Sequence, residues 1–175
     1  ATENGGVTHT LRNPRSMARR QWHRTVSLFE RYHIDGQGHL VERQVLHTIV
    51  AIEDNVNRYF FNHEPTVVDI QVTRGGSLGA EHQYGGGLQA HDIEFDRTLA
   101  RGQTFSFEYC AIYDESERRT EVRRPARARA ENVDISVHFR SSLLPRAIWW
   151  SAWEDHYEGG PVLDEPVKLE ATLCV

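Results

Sequence analysis

Residues 91–113, HDIEFDRTLARGQTFSFEYCAIY, decide the predicted fold because they carry the clearest strand signal in the chain. In the second half of this stretch apolar and polar side chains alternate, which is the period of a pleated strand with one buried face. Gly102 can adopt a positive φ without steric cost, so the chain can reverse there. The stretch predicts a hairpin at the centre of a sheet, with Ile93 and Phe95 on one strand paired to the aromatic strand. The apolar positions of that second strand are Phe105, Phe107, Tyr109, Ala111 and Tyr113.

Length and composition indicate one ordinary globular domain. The chain has 175 residues, of which 39% are hydrophobic and 26% charged, enough for one hydrophobic core. We expect a flexible arm over residues 1–14 and a single domain over residues 15–175. No apolar run approaches the ~20 residues that cross a bilayer. The start lacks a signal-peptide pattern, and Cys110 and Cys174 suggest no disulfide framework, so we expect a cytoplasmic protein.

Short strands separated by turn residues follow one another along the rest of the chain. Asp35-Gly36 is a strong hairpin signal, and residues 39–52 alternate with one register change near Arg43 that a β-bulge can supply. Residues 45–52, VLHTIVAI, are expected to be buried on both faces. Nine or so strands predict an all-β fold with little helix, either an antiparallel β-sandwich of the immunoglobulin-like kind or a partly open barrel.

The last predicted strand covers residues 167–175. Its apolar positions include Leu169 and Leu173, it has no proline past Pro166, and it carries charge only in its first half. Because a strand without these protections exposes unpaired backbone groups, we expect it to pair inside the sheet or across a homodimer interface.

The segment AIWWSAWE, residues 147–154, predicts a ligand-binding surface. In a strand Trp149 and Trp153 share one face and Trp150 takes the other, so at least one indole is partly exposed or covers a cleft. We expect Trp150 to be the more exposed indole, with the other two in the core. The alternative is that all the tryptophans fill the ends of a sandwich core. The candidate binding residues are Trp149, Trp150, Trp153, Asp155, His156 and Tyr157.

Arginines concentrate in residues 118–129 and form a candidate basic patch that could bind phosphate. Acidic residues are interleaved with them, however, so a solvated, salt-bridged sheet edge is the favoured interpretation. The formal net charge of -5 provides no global attraction for nucleic acid. The patch consists of Arg118, Arg119, Arg123, Arg124, Arg127 and Arg129, and a second basic set on the arm consists of Arg15, Arg19, Arg20 and Arg24.

The chain has ten histidines, but none has the spacing that makes a zinc prediction strong. His63, His82 and His91 could converge as ligands with Glu81 and Asp92 if the glycine-rich loop folds back. Scattered surface histidines are commoner than ligands, so we predict no metal and no cofactor. Neither a Ser-His-Asp arrangement nor a nucleotide-binding loop is recognisable.

Several stretches resemble a known family: RRQWHRTVSLFERYHIDGQGHLVERQVLHTIVAIEDNVNRYFF, ARARAENVDISVHF, RAIWWSAWED and GGPVLDEPVKLEATLCV. They are similar to an uncharacterised actinobacterial β-rich domain found after helix-turn-helix segments in proteins described as transcriptional regulators. The resemblance covers nearly the whole chain and implies a regulatory role, but it assigns no catalytic residues. No helix-turn-helix pattern precedes Trp22, so we do not expect this chain to bind DNA directly.

Two classes of function follow. The first is a non-catalytic module of a bacterial regulatory system that senses a ligand or binds a protein partner, which includes a second copy of the chain. The alternative is a small barrel or sandwich enzyme, such as a cyclase or isomerase, acting on an apolar metabolite in an aromatic cleft. Whether the chain is an enzyme stays open, with the non-catalytic class favoured, and no membrane partner is expected.

Overall fold

The computed structural model describes residues 22–83, 89–114, 118–122, 124, 130–154 and 160–170. All regular elements in these ranges are β-strands, and none is a helix, which confirms the all-β prediction. The strands are β1 (His23–Ile34), β2 (Leu40–Ala51), β3 (Val56–His63), β4 (Val67–Arg74), β5 (Gly76–Gln83), β6 (Gln89–Leu99), β7 (Thr104–Tyr113), β8 (Ala130–Phe139), β9 (Ile148–Ala152) and β10 (Leu163–Val167).

The strands form two larger sheets and a separate ribbon. A five-stranded sheet has the order β4-β7-β2-β1-β8, a three-stranded sheet has the order β3-β6-β5, and β9 pairs with β10. Pairing is antiparallel except between β1 and β8, which are parallel. Buried side chains of both larger sheets form one hydrophobic core. The predicted sandwich is confirmed, and the described strands do not close into a barrel.

The aromatic stretch that suggested a hairpin instead connects the two sheets. Gly102 does adopt a positive φ, 83°, but β6 lies in the three-stranded sheet and β7 in the five-stranded sheet. The predicted pairing of the two strands is therefore wrong. The ring of Phe95 lies 4.7 Å from that of Phe105 and 5.2 Å from that of Phe107, so the aromatic side chains meet across the core. Residues 100–103 can span the ~10 Å between packed sheets because each extended residue covers about 3.3 Å.

The predicted hairpin between β1 and β2 is confirmed. The carboxylate of Asp35 accepts hydrogen bonds from the backbone N–H groups of Gln37 at 2.8 Å and His39 at 2.9 Å. The positive φ, 93°, belongs to Gly38. The register shifts where His33 and Ile34 oppose residues 42 and 40, so the β-bulge expected near residue 43 lies at residue 41.

The strand β2 is buried on one face only. Residues 45, 47, 49 and 51 are buried, whereas residues 46, 48 and 50 are half-buried and residue 52 is exposed. The expectation that VLHTIVAI is buried on both faces is therefore wrong. The outer face of the five-stranded sheet has no second layer comparable to the three-stranded sheet among the described strands, which leaves those side chains partly open.

The C-terminal segment differs most from the prediction. The final described strand, β10, ends at Val167, where the predicted strand begins, and residues 168–170 are not in a strand. Residues 171–175, which include Cys174, lie outside the described residues, as does the predicted arm over residues 1–14. No helix in the described part of the chain is long and apolar enough to cross a membrane.

Candidate interaction surface

The strands β9 and β10 pair with each other in a two-stranded ribbon, which we call the tryptophan ribbon (residues 148–152 and 163–167). Its closed end is held by the backbone N–H of Val162, which donates to the carbonyl of Ala152 at 2.7 Å. The hydroxyl of Ser151 donates to the carboxylate of Asp164 across the ribbon. Pro166 has no N–H to donate, which suits a strand with an unpaired edge. Local sequence therefore favours a narrow ribbon over a wide sheet.

The two faces of the ribbon differ. Trp149 lies opposite Pro166 on one face, and Trp150 lies opposite Glu165 on the other. Because side chains alternate along a strand, the Trp150 face also carries the apolar positions next to it on both strands. These are Ile148, Ala152, Leu163 and Val167. The Trp150 face is thus an apolar strip with one carboxylate beside its indole.

Both adjacent indoles are largely exposed. Trp149 is 56% exposed and Trp150 is 52% exposed, while Trp153 is half-buried. The expectation that Trp149 packs into the core while Trp150 is the more exposed is therefore wrong. In the described chain no third strand pairs with the ribbon, and two strands alone cannot bury large side chains on both faces. Apolar neighbours are exposed as well: Val162, Leu163, Val167 and Leu169.

The other predicted ligand-binding residues, Asp155, His156 and Tyr157, lie outside the described residues. The structure consequently places Trp149 and Trp150 on adjacent positions of one strand but tests no acid-base pair beside them.

The predicted basic patch is divided between surface and interior. Arg118 is exposed, and Arg119 is anchored through its backbone N–H, which donates to the carbonyl of Gly38 at 2.9 Å. Arg124 turns inward, where its Nη1 donates to Glu30 at 2.7 Å. The expectation that Arg124 belongs to a solvated edge is therefore wrong, because a buried carboxylate draws it inside. Arg123, Arg127 and Arg129 lie outside the described residues, as do Arg15, Arg19 and Arg20 of the arm, whereas Arg24 pairs with Glu131.

A buried carboxylate in the core is the main feature that the sequence analysis missed. Glu30 is only 1% exposed, and it accepts hydrogen bonds from Arg43, from Arg124 and, at 3.2 Å, from the hydroxyl of Tyr32. Burial alone would raise the pKa of Glu30, but the two guanidiniums outweigh burial and lower that pKa below its ordinary value. The signal was present in the sequence, since Glu30 occupies an apolar-strand position between Leu28 and Tyr32.

A small cavity lies beside Arg43 and Tyr32, two of the residues that contact Glu30. Its volume is about 30 Å³, whereas pockets for small organic ligands measure roughly 300 to 1,000 Å³. It is large enough for a water molecule, which needs about 10 to 15 Å³ of such volume. A metabolite therefore does not fit there. The cavity is lined by Tyr32, Leu40, Arg43, Glu64, Tyr113, Arg119 and Val122.

His47 is a second polar residue in the core. Its Nε2 lies 2.9 Å from the hydroxyl of Thr25, and its ring packs at 5.1 Å from Tyr59 and 5.2 Å from Phe107. Burial lowers the pKa of His47 to about 3. The imidazole is thus a neutral core residue in the neutral pH range.

The structure brings together two of the three histidines proposed as ligands. His63 Nε2 lies 2.9 Å from His91 Nδ1, whereas His82 lies on the other face of the three-stranded sheet, 3.2 Å from Asp92. Burial lowers the pKa of His63, and the nearby His91 acts in the same direction. As the side chains are placed, no three His, Cys, Asp or Glu residues in the described part of the chain are grouped closely enough to hold a metal ion. The residues considered as a possible ligand set therefore do not all converge, because alternation sends His82 and Asp92 to the face opposite His63 and His91.

No family model matches the chain, and no curated protein matches it in sequence. Among solved structures, one similar protein comes from Parabacteroides distasonis ATCC 8503 and is named a "putative protease". The two are 9% identical with a TM-score of 0.45, over 77% of this chain and 33% of that protein. The chain thus spans about one third of that protein's length. A likeness this weak carries no argument about function, and the resemblance to the regulator-associated domain stays a prediction.

Proposed function

We propose that this chain is a non-catalytic protein-interaction module and that its partner docks on the tryptophan ribbon. The observation that carries the proposal is the exposure of more than half of Trp149 and of Trp150 on a ribbon that has two strands in the described part of the chain. Tryptophan is strongly enriched among the residues that dominate binding energy at protein interfaces. Its large ring contributes apolar area, and its N–H can donate a hydrogen bond to the partner.

The surroundings of Trp150 favour a particular partner chemistry. Glu165 lies directly across from Trp150, and Leu163 and Val167 flank it on the same face. An indole beside a carboxylate suits a cationic side chain, which can contact the ring face and pair with the carboxylate. We therefore expect an apolar partner segment that carries one Arg or Lys facing Glu165.

The exposed ribbon offers a protein partner more surface than the small cavity beside Arg43 offers a metabolite. The cavity beside Arg43 is about 30 Å³, roughly a tenth of the smallest usual ligand pocket. The ribbon, in contrast, exposes a run of apolar side chains, the kind of surface that marks protein interaction sites. The described residues do not test the enzyme alternative, because Asp155 and His156 lie outside them. A place in a bacterial regulatory system is part of the proposal and is supported by the sequence resemblance.

Site-specific photo-crosslinking would identify the partner. Benzoylphenylalanine replaces Leu163, which lies on the Trp150 face, and in a second variant replaces Phe29, an exposed aromatic residue on the outer face of the five-stranded sheet. Crosslinking is performed in cells of the native host. We expect one partner protein to be enriched from position 163 and not from position 29. A product containing two copies of this chain would overturn the separate-partner proposal in favour of a homodimer.

Calorimetry with the purified partner then tests the role of the indoles. Substitution of both tryptophans, W149S/W150S, is expected to weaken binding at least tenfold, about 1.4 kcal/mol, whereas the matched control Phe29→Ser leaves the affinity unchanged. Equal affinities of the wild-type protein and the double variant would contradict the proposal. So would equal weakening by the double variant and the control.

A further inference from the structure

Two imidazoles meet on the inner face of the three-stranded sheet, apart from the tryptophan ribbon. His63 ends β3 and is 4% exposed, and His91 lies near the start of β6 and is half-buried. His63 Nε2 and His91 Nδ1 are 2.9 Å apart, and the rings are nearly parallel, with an angle of 24° between their planes. Two ring nitrogens, one from each of two neighbouring strands, are therefore close enough to contact the same small ligand.

The backbone fixes the tautomer of His63. Its Nδ1 lies 3.0 Å from the carbonyl oxygen of Glu64, and because a carbonyl only accepts, Nδ1 carries the proton. The lone pair of His63 is consequently on Nε2, directed at His91, whose Nδ1 donates to it. Histidines that bind metals usually donate their other N–H to a carbonyl or carboxylate in this way, which orients the ring. His63 is thus held as a metal ligand would be.

A carboxylate lies on the same face, one strand away. Glu81 on β5 is the direct cross-strand partner of His91, so the two side chains point to the same side of the sheet. Glu81 is exposed, and its carboxylate accepts a long hydrogen bond, 3.3 Å, from the side-chain amide of Gln83. An exposed side chain with such a long hydrogen bond can turn toward the imidazole pair at little cost.

We propose that His63 Nε2, His91 Nδ1 and the Glu81 carboxylate form a binding site for a divalent transition-metal ion such as Zn²⁺. Two imidazoles and one carboxylate are a known zinc ligand set that leaves a fourth position open. With metal–nitrogen bonds of about 2.0 to 2.1 Å, nitrogens 2.9 Å apart subtend about 90° at the metal, and a separation near 3.3 Å gives the tetrahedral angle. Binding requires Glu81 to turn inward, both rings to rotate until their lone pairs point at the metal and no longer along the hydrogen bond, and the proton on His91 Nδ1 to move to Nε2 or to solvent.

Zinc titration of the chelator-treated full chain tests the site. We expect binding of one Zn²⁺ per chain by calorimetry, and absorption bands of a tetrahedral or five-coordinate complex when Co²⁺ is the probe. His91→Gln should weaken Zn²⁺ binding at least tenfold, and Glu81→Gln should weaken it less. His82→Gln is the matched control, because His82 lies on the opposite face against Asp92, and it should leave the affinity unchanged.

Two results would overturn the site. One is no saturable Zn²⁺ or Co²⁺ binding by the wild-type chain, and the other is a loss in His82→Gln as large as that in His91→Gln. His91 is half-buried, so its variant should fold, and retained near-ultraviolet circular dichroism checks this independently. A second readout is the nitrogen NMR spectrum, in which only His63 and His91 should shift on addition of Zn²⁺.

Discussion

The interior around β1 and β2 and the tryptophan ribbon depart from ordinary burial in opposite directions. In the interior, Glu30 is 1% exposed and His47 is 2% exposed, although charged and polar side chains are normally at the surface. In the ribbon, two indoles expose more than half of their surface. The buried carboxylate of Glu30 accepts hydrogen bonds from Arg43, Arg124 and Tyr32. The buried carboxylate is therefore paired inside the protein, whereas the two indoles are open to solvent, as the proposed docking site requires.

The energetic consequences also differ. A buried ion pair costs several kcal/mol per charge in lost hydration, and removal of one partner leaves the other uncompensated. Substitution of an exposed side chain changes the unfolding free energy little, because water replaces its contacts. Substitutions in the two regions should therefore fall into separate ranges of unfolding free energy.

The largest expected effect is on the buried ion pair. Arg43→Leu leaves Glu30 buried with Arg124 as its remaining cation and should destabilise the protein by about 3 to 5 kcal/mol. Arg74→Leu is the matched control, because Arg74 and Glu108 form an ion pair at 2.8 Å with both side chains more than one third exposed, and it should cost less than about 1 kcal/mol. Urea unfolding monitored by circular dichroism measures both. Similar losses in the two variants would remove the distinction between interior and surface.

A smaller effect is expected from the pH dependence contributed by His47. Its pKa is about 3 in the folded protein, and its ordinary value of 6.5 applies to the unfolded chain. Between these pH values the unfolded chain binds a proton that the folded chain does not. Stability therefore falls as the pH falls below 6.5, by up to about 1.4 kcal/mol per pH unit from this group. Unfolding free energies at pH 7, 6 and 5 should give a shallower slope for His47→Gln than for the wild-type protein. Parallel slopes would show that His47 has the same pKa in the folded and unfolded chains and would contradict its lowered pKa.

The lowered pKa of Glu30 does not interfere in that range. A carboxyl whose folded pKa lies below its unfolded value of 4.5 loses its stabilising contribution only as the pH falls below that value. Measurements from pH 7 to 5 thus report mainly on histidines, and the comparison with His47→Gln isolates one of them.

The local structure of several elements could be predicted from the sequence, but their partners could not. Alternation from Phe105 to Tyr113 identifies β7, and Asp35-Gly36 identifies the first hairpin. The same alternation is compatible with either sheet, however, because a period of two residues says which face is buried and not which strand is adjacent. The pairing of β7 with β2 and β4 depends on contacts distant in sequence.

The candidate sites show the same limit. A glutamate at an apolar position of β1 is visible in the sequence, but its cations come from residues 43 and 124, which only the folded chain brings near Glu30. For the ribbon, the sequence predicts the strand and the opposite faces of Trp149 and Trp150. It does not predict their exposure, since burial depends on whether another layer covers each face. The pairing of His63 with His91 likewise depends on the register between β3 and β6.

The most direct test of the central claim compares the stability of tryptophan and core variants. Trp149→Ser and Trp150→Ser should each change the unfolding free energy by less than about 1 kcal/mol, because water already reaches both indoles. Phe107→Ala, in which a fully buried ring is truncated, should cost about 3 to 5 kcal/mol. This pattern in urea unfolding would establish the indoles as surface that is free for a partner. Losses of about 3 kcal/mol or more in both tryptophan variants would contradict the account and place these side chains in the core.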